Sequence, residues 1–270
     1  MKAPATTGPE RHFQPLGAAA RFGLIGHPIA GSGSPALFAK AYGGRWPYDL
    51  IDRENFEDAW AEFLRGYHAV NITAPFKELA FRRVQECGRV DASCLEIGAI
   101  NIAVKTPGGI LGYNSDFLGV RKILMDNGFG GAPDGAAEGP QGDSGRLAVI
   151  AGFGGAGKAA AAAAHSLGLD VVVCNRSRRS PGVRPLEDLP ALAAAADILI
   201  YCLPFPIPEI EFLLNTAVAA VGESGLCILE ANYRTPCLAG FRCRYIHGSA
   251  WLEAQATLGY PLMTGFPVEA

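Results

Sequence analysis

A chain of 270 residues, 49% hydrophobic and 18% charged, can bury a substantial core in one large domain or two ordinary ones, which excludes wholesale disorder. Its 23 basic and 26 acidic residues give a net charge of −3, so no basic surplus points to nucleic acid or to an anionic membrane surface. No apolar run reaches the roughly 18 residues of a membrane span.

The N-terminal MKAPATTGPERHFQPLG has one early lysine and no apolar stretch, and reads as a short mobile leader and not as a signal peptide. Apolar runs then predict strands at Phe22–Gly26, Ala69–Thr73 and Ala99–Val104. Helix-like stretches separate them at Pro35–Ala41, Glu54–Arg65 and Glu78–Gln85. Strands alternating with helices predict a mostly parallel, covered sheet. Residues 127–146 are rich in Gly, Pro and Asp and predict a flexible surface loop. A second unit follows: strand Leu147–Ala151, a glycine-rich turn, an alanine-rich helix from Lys158 to about Leu167, and strand Asp170–Cys174. Asp197–Cys202 and Leu226–Leu229 predict further strands of that sheet. The seven cysteines (Cys87, Cys94, Cys174, Cys202, Cys227, Cys237, Cys243) form no C-x-x-C pair and read as free thiols of a reducing cytoplasm. The histidines lack metal-ligand spacing, so no metal site is expected.

The turn Gly152-Phe153-Gly154-Gly155-Ala156-Gly157 satisfies G-x-G-x-x-G between a strand and a helix. One glycine makes the tight turn, one lets backbone approach a pyrophosphate, and one lets helix and strand pack closely. The phosphates would sit on the helix N-terminus. This predicts a Rossmann-type, doubly wound dinucleotide-binding domain. The strand after the helix ends in Asn175-Arg176-Ser177-Arg178-Arg179, with no acid for a ribose hydroxyl and several guanidiniums for a 2′-phosphate, so NADP is favoured over NAD.

In the first half, polar clusters stand at strand ends: Ser32-Gly33-Ser34-Pro35, Asn71 to Lys77, Gly98 to Asn101, and Tyr113-Asn114-Ser115-Asp116. Open α/β sheets bind ligands at such ends. Oxidising a secondary alcohol needs a proton acceptor beside the carbon that loses hydride. Lys77 can serve, with Asp116 orienting it and balancing its charge. Two serines at i and i+2 can grip a carboxylate, and Thr73 and Asn101 can hold ring hydroxyls. Each has an ordinary reading as well: a surface lysine, caps of the helix at Pro35, a turn former, an N-cap.

Taken together, these segments resemble the shikimate dehydrogenase family from about Phe22 to Gly265. The resemblance rests on Gly23–Ala30 with Ser32–Pro35, Asn71–Glu78, Ile97–Asn101 and Gly112–Asp116, then on the glycine turn and Asn175–Ser177 in the family's order. It implies a reversible, NADPH-linked reduction of 3-dehydroshikimate to shikimate in the cytoplasm, by a monomer or homodimer. By this resemblance Lys77 and Asp116 are the catalytic pair. Ser32 and Ser34 bind the substrate carboxylate, and Thr73, Asn101, Tyr233 and Gln255 line the pocket. Gly152, Gly154, Gly155, Ala156, Gly157, Asn175, Arg176, Ser177 and Arg178 hold the cofactor. The implied domains are 18–118 with a returning helix in 246–270 for substrate, and 119–245 for NADP.

The chain departs from the family at Gly31, where a histidine is usual, and at Tyr201–Pro204, where Asn-Ala-Thr is common. Glu230 replaces an aspartate before the pocket tyrosine, Trp251 replaces a helix methionine and is expected near the nicotinamide, and the chain ends at Ala270, where relatives often continue. A quinate/shikimate dehydrogenase, an aminoshikimate-type enzyme and a non-catalytic shikimate-binding regulator are the alternatives. Retention of both Lys77 and Asp116 speaks against the last.

Overall fold

The apolar run Phe22–Gly26 forms strand β1, and all five residues are buried, as expected of a strand covered on both faces. The computed structural model describes residues 16–17, 19–130, 145–177, 181–207, 225–241 and 243–269. The leader up to residue 15, most of the Gly/Pro/Asp-rich segment, and Arg178 and Arg179 lie outside the described residues.

After β1 come helix α1 (Ser34–Ala41), β2 (Tyr48–Asp52), α2 (Phe56–Gly66), β3 (Ala69–Ile72), α3 (Lys77–Cys87), β4 (Gly88–Val90), α4 (Ala92–Ile97), β5 (Ile102–Thr106), β6 (Gly109–Tyr113) and α5 (Ser115–Asp126). Helix α2 shows why such segments fold locally. The Asn55 side chain caps it by accepting from the Glu57 N–H at 2.7 Å. Phe56, Ala59, Trp60 and Phe63 fall on one buried face, and each large side chain there contributes about 1.5–3 kcal/mol of burial.

The first sheet has six strands in the order β2-β1-β3-β5-β6-β4. It is mixed, where the sequence predicts a mostly parallel one: β3–β5 and β5–β6 run antiparallel. For the β5–β6 pair the reason is local. Pro107-Gly108 turns the chain back on itself, with Thr106 opposite Gly109, whose φ of 113° suits only glycine. The strand expected from Ala99 begins at Ile102, because Ala99 O accepts from Asn114 Nδ2 and the Ile100 N–H donates to Lys77 O, and only Asn101 carries the ladder further, through its N–H to Tyr113 O and its carbonyl from the Ile72 N–H.

The second half runs β7 (Leu147–Ala151), α6 (Gly155–His165), β8 (Asp170–Cys174), α7 (Leu189–Ala195), β9 (Ile198–Tyr201), β10 (Cys227–Glu230), β11 (Arg244–Ile246) and α8 (Gly248–Thr264). Its five strands, ordered β11-β10-β9-β7-β8, are all parallel. Side chains alternate between the faces as the strand period of two requires. Ala148, Ile150, Ile198, Ile200, Cys227 and Leu229 pack with α5, α6 and Trp251, while Val149, Ala151, Leu199, Tyr201 and Ile228 pack with α7.

Helix α8 belongs to both cores. Trp251 near its start sits in the cluster beneath the second sheet, whereas Ala256, Tyr260 and Met263 pack with Phe22, Phe38 and Ile102 of the first. It crosses α5 closely. A Cβ on Gly259 would lie 2.8 Å from Ser115 Cβ, and one on Gly119 would lie 2.9 Å from the Gln255 nitrogen. Among the described residues no helix is long and apolar enough to cross a membrane, and no group of His, Cys, Asp and Glu is arranged to hold a metal ion.

Candidate active site

Lys77 is the first residue of α3, directly after the loop that leaves β3. Asp116 is in the first turn of α5, directly after β6. The β5–β6 hairpin brings the two together, because its ladder continues through the Asn101 N–H donating to Tyr113 O at 3.0 Å, which sets the start of α5 beside the start of α3. Two further bonds fix the geometry: the Ile100 N–H donates to Lys77 O at 3.2 Å, and Asn114 Nδ2 donates to Ala99 O at 2.9 Å. The result is a 2.6 Å contact between Lys77 Nζ and Asp116 Oδ2, 39 residues apart in sequence. The side chains are only 14% and 12% exposed, so the pair is largely withdrawn from water.

The pair lines a cavity of about 680 Å³ together with Ser32, Ser34, Thr73, Asn101, Tyr233 and Gln255, so every substrate residue expected from the sequence meets there. Ser32 Oγ lies 3.1 Å from Ser34 Oγ. The N-cap position of α1 is Gly33, and Ser32 Oγ accepts from the Ser34 N–H at the start of that helix at 3.3 Å. Asn101 is buried and engaged: its Oδ1 accepts from the Ser115 N–H at 2.7 Å and its Nδ2 donates to Ser115 Oγ at 3.1 Å. Ser115 Oγ in turn donates to Gln255 Oε1 at 3.0 Å. Ser115 thus ties Asn101 to α8, a role legible only in three dimensions. At the other wall, His27 Nδ1 and the Ile29 N–H meet the two oxygens of Asp52 at 2.7 and 3.0 Å. The Ile29 N–H, followed by His27, holds the Asp52 carboxyl below its ordinary pKa.

The glycine turn fits a dinucleotide. Gly152 has φ of +96°, open to glycine alone. A Cβ on Gly157 would lie 2.0 Å from Gly152 O, so helix α6 can approach its strand only without one. At Gly154 such an atom would meet nothing within 4 Å, leaving the backbone open to a pyrophosphate at the helix N-terminus. Gly155 lies against the Lys77 stem, where a Cβ would fall 2.9 Å from Lys77 Cδ. Ala156 lines the same cavity as the Lys–Asp pair. Beside the turn, the Gly152 N–H donates to Cys174 O at 2.8 Å, which sets Asn175, Arg176 and Ser177 next to it. Arg176 and Ser177 are exposed, and Asn175 Nδ2 donates to Ser177 O at 3.1 Å. Arg178 lies outside the described residues.

The substituted positions fall into place around this centre. Cys202 lines the cavity, and burial together with the Asp116 charge pushes its thiol up to about 12, with Lys77 opposing. Trp251 lines it too and is buried. Glu230 is fully buried and accepts from the Cys237 and Leu238 N–H groups at 2.8 and 3.1 Å and from Tyr245 OH at 2.7 Å.

Residues 24–103 match the family model described as the shikimate dehydrogenase substrate binding domain. The chain is 34% identical over 260 residues to the shikimate dehydrogenase (NADP(+)) of Thermus thermophilus, covering 93% of this chain and 88% of that protein. It belongs to the shikimate dehydrogenase family. The family member of Acidiphilium cryptum is 31% identical over 262 residues, with 90% of each chain covered. Among solved structures, the Thermus thermophilus shikimate 5-dehydrogenase in complex with NADP(H) and shikimate superposes with a TM-score of 0.67 at 27% identity, over 93% of this chain and 95% of that one. The Aquifex aeolicus shikimate dehydrogenase reaches a TM-score of 0.72 at 19% identity over 94% of this chain and 96% of that one, a likeness of fold.

Proposed function

We infer that this chain is an NADP-dependent oxidoreductase acting on a CH–OH group. It is a shikimate dehydrogenase that reversibly reduces 3-dehydroshikimate to shikimate in the biosynthesis of aromatic amino acids through chorismate. The observation that carries this reading is the 2.6 Å Lys77–Asp116 contact in a cavity walled on one side by the serine turn and on another by the glycine turn.

When bound, NADPH supplies the hydride. Gly152, Gly154, Gly155, Ala156 and Gly157 would hold its pyrophosphate against α6, with Asn175, Arg176, Ser177 and Arg178 toward the ribose phosphate. The chain's own groups do the rest. The Ser32 and Ser34 hydroxyls hold the ring carboxylate, while Thr73, Asn101, Gln255 and Tyr233 orient the ring. Negative charge grows on the ketone oxygen during reduction, and Lys77 Nζ donates the proton that quenches it. In the reverse direction the amine accepts the proton of the hydroxyl. Asp116 keeps Nζ aimed and balances the ammonium. Burial of both side chains strengthens their mutual attraction relative to bulk water. The substrate unit is taken as 18–118 with 246–270 and the cofactor unit as 119–245, in a cytoplasmic monomer or homodimer.

Oxidation of NADPH in the presence of 3-dehydroshikimate tests the reading directly. Turnover is expected with shikimate and NADP⁺, with little or none for quinate or for NAD⁺. Comparable rates with quinate and NAD⁺ would make the chain a quinate/shikimate dehydrogenase instead. Binding of shikimate without turnover would make it a regulator.

A further inference from the structure

The loop after β10 carries a cation into the cavity wall. Arg234 follows Tyr233 and lines the same cavity as Ser32 and Ser34. Its Nη2 donates to the carbonyl oxygen of Gly31, the residue just before the serine turn and 203 positions away in sequence. Gly31 makes this possible: a Cβ there would lie 3.1 Å from Arg234 Nη1, so the guanidinium lies where a side chain would otherwise stand. The loop is braced for the purpose. Glu230 grips its far end through the Cys237 and Leu238 N–H groups. Asn232 Oδ1 accepts from the Arg234 and Thr235 N–H groups at 3.3 and 3.2 Å, and its Nδ2 donates to Thr235 O at 2.8 Å. The guanidinium also lies over the Tyr233 ring, 5.6 Å from its centroid.

Charge decides what this arrangement is for. In the cavity wall, Lys77 and Asp116 cancel, and His27 is satisfied by Asp52. Among the described residues no carboxylate pairs with Arg234, so the lining retains one net positive charge, next to hydroxyls that can only donate or accept neutral bonds. The Gly31 contact uses one edge of the fork and leaves further N–H donors free for a second oxygen.

We propose that Arg234 is a specificity-determining residue that selects a monocarboxylate substrate, adding a charged anchor from the cofactor half of the chain to the Ser32–Ser34 grip. This deepens the shikimate dehydrogenase reading and rests on it. Because the anchor arrives from the far side of the cleft, the acid form of the substrate also ties the loop after β10 to the serine turn.

The test is calorimetric binding of shikimate and of its uncharged methyl ester to the wild-type chain, Arg234→Gln and Arg234→Lys, with wild-type turnover of shikimate and NADP⁺ read alongside. Removing a charge-assisted bond should weaken shikimate about ten- to a hundredfold in Arg234→Gln while leaving the ester unchanged. Arg234→Lys should recover part of the loss. Arg234 is exposed, so the substitutions leave the fold intact. If acid and ester weaken alike, Arg234 is only a strut on Gly31 and the proposal fails, as it does if neither weakens. Lack of wild-type turnover would refute the enzymatic reading, whereas the acid–ester difference would still decide the role of Arg234.

Discussion

Single residues at the cavity wall make the sharpest claims. Cys202 stands beside the Lys77–Asp116 pair, yet its thiol is pushed up to about 12 by burial and by the Asp116 charge. It should therefore stay protonated at neutral pH and resist alkylation. Iodoacetamide at pH 8 should modify exposed Cys87 and leave both Cys202 and activity untouched, as read by peptide mass spectrometry. Asp52 offers a test in acid. Its carboxyl is held below the ordinary 3.8, so it contributes stability above its unfolded pKa and loses it as pH falls through the folded value. The stability gap between wild type and Asp52→Asn should be present at pH 7, shrink as pH drops below about 4, and vanish in stronger acid. A gap that widens in acid would contradict the assignment. Arg176 is expected at the 2′-phosphate, so Arg176→Glu should cost NADPH affinity about tenfold or more while sparing NADH. Titration of each nucleotide by fluorescence measures this.

Elements meet through glycines that the sequence does not advertise. Gly119 and Gly259 let α5 and α8 cross closely enough for Ser115 to bridge Asn101 and Gln255. Gly259→Val should overpack that crossing and cost about 1–3 kcal/mol in denaturant unfolding. Much of the architecture is legible beforehand. The runs at β1, β3, β7 and β8 are apolar and short, and the alanine-rich α6 follows a glycine turn with a strand before and after it. Lys77 and Asp116 can be paired in advance because their flanking segments are distinctive. Other features resist reading for physical reasons. Strand β2, at a sheet edge, sets Asp49 and Asp52 three residues apart and so breaks the period of two, β4 has three residues, and β6 carries two glycines, so none offers a strong hydrophobic period. The antiparallel β5–β6 pair follows from one Pro-Gly turn, whose effect is visible only once the strands on either side are known. Arg234 and Ser115 owe their places to contacts with residues 203 and 140 positions distant, which no local pattern encodes.

At the scale of the whole chain, the two sheets share α8 and enclose one cavity, and contacts cross between them at several points. Lys158 of α6 pairs with Glu78 of α3 at 2.7 Å, Gly155 rests on Lys77, and Arg234 reaches Gly31. A ligand bound between the halves should therefore stabilise both together. NADPH at about a hundred times its Kd should add about 2.7 kcal/mol, raising Tm by roughly 5–10 °C in a single transition. Two separated transitions, with only one shifted, would show that the halves unfold independently. The most direct test of the central claim, that Lys77 held by Asp116 moves the proton as hydride is transferred, is single-turnover NADPH oxidation by 3-dehydroshikimate in wild type and Lys77→Ala. The account predicts a rate lower by about two to four orders of magnitude in Lys77→Ala with NADPH affinity retained. An unchanged rate would contradict it.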